Sequence, residues 1–159
     1  MSSILILCVG HLKERFFKEA ADEYLKRLRR LTQAEVVEVD DLPQPAHPSE
    51  ADNRQIVRKE GEALLRRLRP DDLVVALVID APQMDSVALS HFLKTRDNDG
   101  ARTVFVIGGS LGLSDEVISR SDVRLSMSKM TFPHQLARVM LLEQIYRARK
   151  IIAGEKYHK

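Results

Sequence analysis

Two short stretches have the residue types to hold a ligand by its edges. The first is Gly108-Gly109-Ser110-Leu111-Gly112, directly after the apolar run Thr103–Ile107. Glycines after a buried strand let the chain turn sharply and let a ligand approach the main chain closely. The second is Met127-Ser128-Lys129-Met130-Thr131-Phe132-Pro133, which ends a second apolar run. Pro133 suits the first turn of a helix, and Thr131 is a candidate cap. Methionines pack well against a flat or sulfur-bearing ligand, and a lysine between two of them is an odd choice for a loop that only plugs a core. In open α/β sheets ligands bind beyond the carboxyl ends of the strands, which is where both stretches fall. The glycine stretch alone is read equally well as a tight strand-to-helix turn. It is neither a dinucleotide fingerprint nor a Walker loop, because no acidic residue ends a following strand and no Gly-Lys-Ser/Thr follows.

A third stretch is the end of the chain, Gly154-Glu155-Lys156-Tyr157-His158-Lys159. Histidine titrates near neutral pH, so His158 could accept a proton or meet a phosphate. Termini usually fray, and a solvated tail is the competing reading, but the dense apolar helix over 133–152 should tie this one down. Residues 129–159 hold seven Lys/Arg against two acids, whereas the rest of the chain holds eighteen against twenty-one. The formal net charge of +2 therefore hides a basic C-terminal region. Basic residues also line two early segments (Lys13 to Arg30 and Arg54 to Arg69), but acids are interspersed, so a solvated face is the favoured reading there.

These stretches need a scaffold, and the periodicity supplies one. Ile4–Val9, Glu35–Val39, Leu73–Ile79, Thr103–Ile107 and Val123–Met127 read as strands, several of them apolar on both faces as parallel strands are. Helical patterns alternate with them over 13–30, 50–68, 86–95, from Ser114 onward and over 133–152. The order predicts an α/β three-layer sandwich around a mostly parallel sheet of five or six strands, in one domain spanning 1–159. The last helix is apolar around most of its circumference, which predicts burial on two sides, one of them against a second copy of the chain. Asp40–Pro48, with three prolines, reads as an extended loop.

Other chemistries are poorly served. The single cysteine, Cys8, lies inside an apolar run and cannot form an internal disulfide, so it reads as a buried hydrophobe in a reducing compartment. The five histidines (11, 47, 91, 134 and 158) show no paired ligand spacing, and metal binding is not expected. No signal peptide or membrane-length apolar run is visible, so a cytoplasmic protein without a membrane partner is expected.

Phe105–Leu113, Leu125–Gln135, the Glu143-Gln144-Ile145-Tyr146-Arg147-Ala148 stretch, the final Tyr157-His158-Lys159 and the opening Leu7–Lys13 together resemble the ribosomal RNA large subunit methyltransferase H family. The resemblance covers the whole chain. It implies a SPOUT-class methyltransferase dependent on S-adenosyl-L-methionine, with a C-terminal trefoil knot and a homodimeric assembly. It further implies methylation at N3 of a pseudouridine in the helix 69 loop of 23S rRNA, on assembled ribosomes. Carried onto this sequence, the cofactor pocket would use Leu77, Gly108, Met127, Ser128, Lys129, Met130, Thr131 and Phe132. Within that reading, His158, Tyr157 and Arg147 are the catalytic candidates, and Arg138, Lys156 and Lys159 the RNA contacts. Two departures stand out: Asp80-Ala81-Pro82-Gln83 replaces a common Gly-Lys after the third strand, and His11 replaces a common Lys. A knotted tRNA methyltransferase and a non-enzymatic ribosome-binding module are the alternative readings.

Overall fold

The protein was analysed as a computed structural model that describes residues 2–159. Five strands, β1 (Ser3–Val9), β2 (Gln33–Val39), β3 (Leu73–Leu77), β4 (Thr103–Ile107) and β5 (Val123–Leu125), alternate with five helices. These are α1 (Arg15–Arg29), α2 (Glu50–Leu65), α3 (Ser86–Asp99), α4 (Asp115–Arg120) and α5 (His134–Ile152). The strands form one sheet in the order β2-β1-β4-β3-β5, and every neighbouring pair is parallel. The element order is the one the periodicity predicts. β3 and β5 stop two residues early, at Leu77 and Leu125, because the chain leaves the sheet there to build loops. α3 runs four residues past its predicted end, to a left-handed Gly100.

Alternation along β1 explains its unbroken apolar sequence. Ile4, Ile6 and Cys8 join a core with residues of α1, α3 and α5, including Leu28, Leu93, Leu141, Leu142 and Ile145. Leu5, Leu7 and Val9 join a second core with Leu64 of α2 and Val117 of α4. Each strand in the middle of the sheet is thus covered on both faces, as parallel strands require. Cys8 is fully buried, and burial pushes its thiol up to about 12.

Local chemistry sets the helix starts. Ser49 and Asp52 form a reciprocal capping box on α2. Asp85 accepts from Ala88 N on α3, and Ser114 from Val117 N on α4. Thr131 does not cap α5: Pro133 occupies the cap position and no side chain bonds there. Several basic residues of α1 and α2 pair within their own helices, as in Arg15–Glu19, Arg27–Glu23 and Arg58–Glu62, in keeping with a solvated face. None of the described helices is long and apolar enough to cross a membrane.

Candidate active site

The loops after β3, β4 and β5 surround one cavity of about 820 Å³ at the carboxyl edge of the sheet. Three pieces of backbone chemistry shape it. Gly112 N donates to Gly109 O at 3.1 Å, closing the glycine loop on itself. Gly108 has no room for a side chain: a Cβ there would lie 2.7 Å from the Gly112 carbonyl carbon. The loops after β3 and β5 run together, with Val78 N donating to Leu125 O at 3.0 Å and Ser126 N to Pro82 O at 2.9 Å. Pro82, in the Asp80–Gln83 stretch that departs from the family pattern, therefore joins the two loops through its main-chain carbonyl. Ser128 folds the last loop locally, accepting from Met130 N at 3.0 Å, while its own carbonyl accepts from Ser126 Oγ.

Seven of the eight residues named for the cofactor pocket line this cavity: Leu77, Gly108, Met127, Ser128, Met130, Thr131 and Phe132. Lys129 does not. It is exposed on the same loop with its side chain outside the lining. Met130 lies at the mouth and is 73% exposed. The walls are otherwise apolar or main chain, with Ile107, Leu113, Ile118 and Ala137 among them. His134, the first residue of α5, also lines the cavity and was not singled out from the sequence. Its position directly after the Ser128–Pro133 loop was the available signal.

Behind His134 sits a charged cluster. Arg138, one turn along α5, is 2% exposed. It donates to Gly10 O at 2.9 Å and pairs with Glu38, whose other oxygen meets His11. Burial raises the Glu38 carboxyl, but Arg138 and His11 outweigh it and the net direction is down. His11 also meets Asp40 and then Glu38, and both hold its imidazolium on, so its pKa is raised. Arg138, expected from the sequence to contact RNA, is enclosed in this chain, where its guanidinium fastens the start of α5 to the ends of β1 and β2.

Tyr157, His158 and Arg147 come together, but not at the cavity. Tyr157 Oη donates to Glu143 at 3.1 Å, and Arg147 binds the same carboxylate at 2.6 Å. Tyr157 packs edge-on against Tyr146, and the Arg147 guanidinium lies 4.8 Å from the Tyr157 ring centre. His158 Nδ1 is 3.3 Å from Arg147 Nη1. The tail is thus laid along α5 rather than frayed. Burial and then Glu143 raise the Tyr157 phenol. None of the three lines the cavity of its own chain. Lys156 and Lys159 are exposed beside them.

The family model described as a predicted SPOUT methyltransferase matches residues 2–158. "Ribosomal RNA large subunit methyltransferase H" of Carboxydothermus hydrogenoformans is 48% identical over 98% of this chain and 99% of its own. The protein of the same name from Bifidobacterium animalis subsp. lactis is 51% identical over 99% of each. Among solved structures, a probable methyltransferase from Bordetella pertussis superposes with a TM-score of 0.55 at 15% identity, over 93% of this chain and 95% of that one. That last likeness concerns the fold. A carboxyl-edge cavity framed by the glycine loop and the Met127–Phe132 loop, in a sequence matched from end to end, leads to one assignment: the chain belongs to the SPOUT methyltransferase family, among relatives named ribosomal RNA large subunit methyltransferase H.

Proposed function

We propose that the protein uses S-adenosyl-L-methionine to methylate N3 of a pseudouridine in the helix 69 loop of 23S rRNA, on assembled ribosomes in the cytoplasm. The observation that carries this reading is the cavity at the ends of β3, β4 and β5. Its volume of about 820 Å³ lies in the range that suits a nucleoside-sized ligand. Its walls offer apolar side chains beside main-chain groups of the glycine loop, and no carboxylate, lysine or arginine lines it. A cofactor with an adenine ring and a compact cationic centre fits such walls. Leu77, Gly108, Met127, Ser128, Met130, Thr131 and Phe132 would hold it, and when bound it supplies an electrophilic methyl group.

The protein then has to align the acceptor and receive a proton. Alignment alone is worth several powers of ten. N3–H of the base lies between two carbonyls and must be lost for the nitrogen to react. His158 is the proposed proton acceptor, with Tyr157 orienting it and Arg147 balancing charge on the carbonyls. Because this trio lies on the side of α5 and not in its own cavity, the reading requires a homodimer in which each tail serves the partner's pocket. The half-buried apolar residues of α5, among them Leu136, Val139 and Met140, are the proposed contact. Lys156 and Lys159 would meet phosphates. Continuing the family resemblance, the C-terminal segment is read as threaded into a trefoil knot.

The test is product mapping. Ribosomes from a strain lacking the enzyme are incubated with protein and methyl-labelled cofactor, and the label is located in the RNA. Label on a helix 69 pseudouridine, in assembled ribosomes and not in the free stem-loop, is expected. Label in tRNA, or equal labelling of the isolated stem-loop, would overturn the reading.

A further inference from the structure

His134 stands alone in the cavity in one respect: it is the only titratable side chain among the residues that line it. The pocket's charge is therefore set by one imidazole. That imidazole is half-buried and takes part in no hydrogen bond found among the described residues. Its place is fixed from two sides. Gly10, held at φ 90, brings the main chain against it, so that a Cβ on Gly10 would lie 3.7 Å from His134 Nε2. Arg138, one turn on, is fastened to that same Gly10 carbonyl and to Glu38.

We propose that His134 sets the preference of the pocket between cofactor and spent product: uncharged it admits a sulfonium cation, and protonated it repels that cation while leaving an uncharged thioether bound. The inference rests on the cofactor reading above. S-adenosyl-L-methionine and S-adenosyl-L-homocysteine share their adenosine, carboxylate and amine, and differ by one methyl and one positive charge at sulfur. No carboxylate among the described residues lines the cavity, so a charge on His134 bears on that difference, tempered only by Asp41 outside the lining.

The groups facing His134 decide when it is charged. Burial and then Arg138 lower its pKa from the ordinary 6.5, and Asp41, from the loop after β2, opposes them. Glu38 faces Arg138 rather than the imidazole, His11 and Asp40 pair beyond Glu38, and Lys129 is exposed outside the lining. Glu60 of α2 is turned to Leu42 N and to the glycine loop. The ring is therefore uncharged at neutral pH, and its charge appears as the pH falls below the ordinary histidine range.

The test is calorimetric titration of the whole protein with each of the two ligands from pH 8 to pH 5. The expected result is that affinity for S-adenosyl-L-methionine falls about tenfold relative to S-adenosyl-L-homocysteine, which is about 1.4 kcal/mol of like-charge repulsion across an open, partly solvated cavity. In His134→Gln the ratio should stay flat. By reciprocity, the wild-type His134 ring, followed by NMR, should titrate at lower pH with the sulfonium ligand than with the thioether, and this reading needs no variant. A flat wild-type ratio, an equal fall in His134→Gln, or identical ring titrations in the two complexes would overturn the inference and leave the cofactor reading standing. Binding of neither ligand at any pH would overturn both.

Discussion

The two edges of the sheet are finished in opposite ways. At the carboxyl edge the cavity is made of main chain and apolar side chains, with one imidazole and no fixed charge in its walls. At the amino edge, ion pairs seal the strand ends. Asp72, with its side chain 1% exposed, takes a two-pronged contact from Arg102 at 2.9 and 2.7 Å and accepts from Arg69 N. Arg120 donates to the Arg69 and Asp72 carbonyls, and Asp122 accepts from Val74 N. Arg149 of α5, 4% exposed, pairs with Asp97, which also accepts from Ser2. The difference separates two tasks. Charge that is paired and buried is costly to disturb, so it locks the edge where nothing needs to bind. The cavity walls are kept free of such locks: the buried pair at this edge, Arg138 with Glu38, lies behind His134 and outside the lining.

That contrast can be broken by substitution. Gly108→Val should have the largest effect, because its side chain must enter a space where even a Cβ meets Gly112 at 2.7 Å. Cofactor affinity should fall about 100-fold or more by calorimetry, equivalent to about 2.7 kcal/mol, while the chain still melts cooperatively. Asp72→Ala should do the reverse. It leaves Arg102 without its partner and should cost about 3 kcal/mol of stability in denaturant unfolding, with cofactor affinity in the folded fraction unchanged. A loss of affinity comparable to that of Gly108→Val would mean that the two edges are not independent.

Acid sharpens the same contrast. Arg149 is the main cause holding the Asp97 carboxyl below its ordinary 3.8, with burial opposing it. At Asp72 burial raises the carboxyl, and the hydrogen bonds from Arg102 and from Arg69 N more than reverse that. A depressed folded-state value means that the stabilisation is present above the unfolded value and is lost as pH falls through the folded one. Unfolding monitored by circular dichroism should therefore begin below about pH 4. The smallest effect expected is that of Tyr157→Phe. It removes one hydrogen bond to a carboxylate that keeps Arg147, worth about 1 kcal/mol, and should speed amide exchange in residues 155–159 while lowering the melting temperature by about 2–4 °C at most.

How much of this could be read from the residues differs between the edges as well. The carboxyl edge was legible because its chemistry is local: a glycine run and a Met-Ser-Lys-Met-Thr-Phe-Pro run each follow a strand directly, and strand ends are where α/β sheets bind. The failures come from contacts between distant residues. Arg138 looks like any basic residue on a helix, and only the fold brings Glu38, a hundred positions away, against it. The same holds for Arg102 with Asp72 and Arg149 with Asp97. Lys129 sits on a loop that turns around Ser128, and it lies outside the cavity lining. Tyr157 looks like the end of a frayed tail until Tyr146 and Glu143, both on α5, are seen to hold it.

Cys8 gives the protein a practical property. It is the single cysteine of the chain, fully buried, with a thiol pushed up to about 12. Thiolate is the reactive form, so in the native state this sulfur should ignore maleimides and iodoacetamides. A cysteine introduced at an exposed tail position such as Lys159 would then carry a fluorophore at one site, with no background to remove. The distance from that dye to a second chain could be followed directly as ligand or ribosome is added.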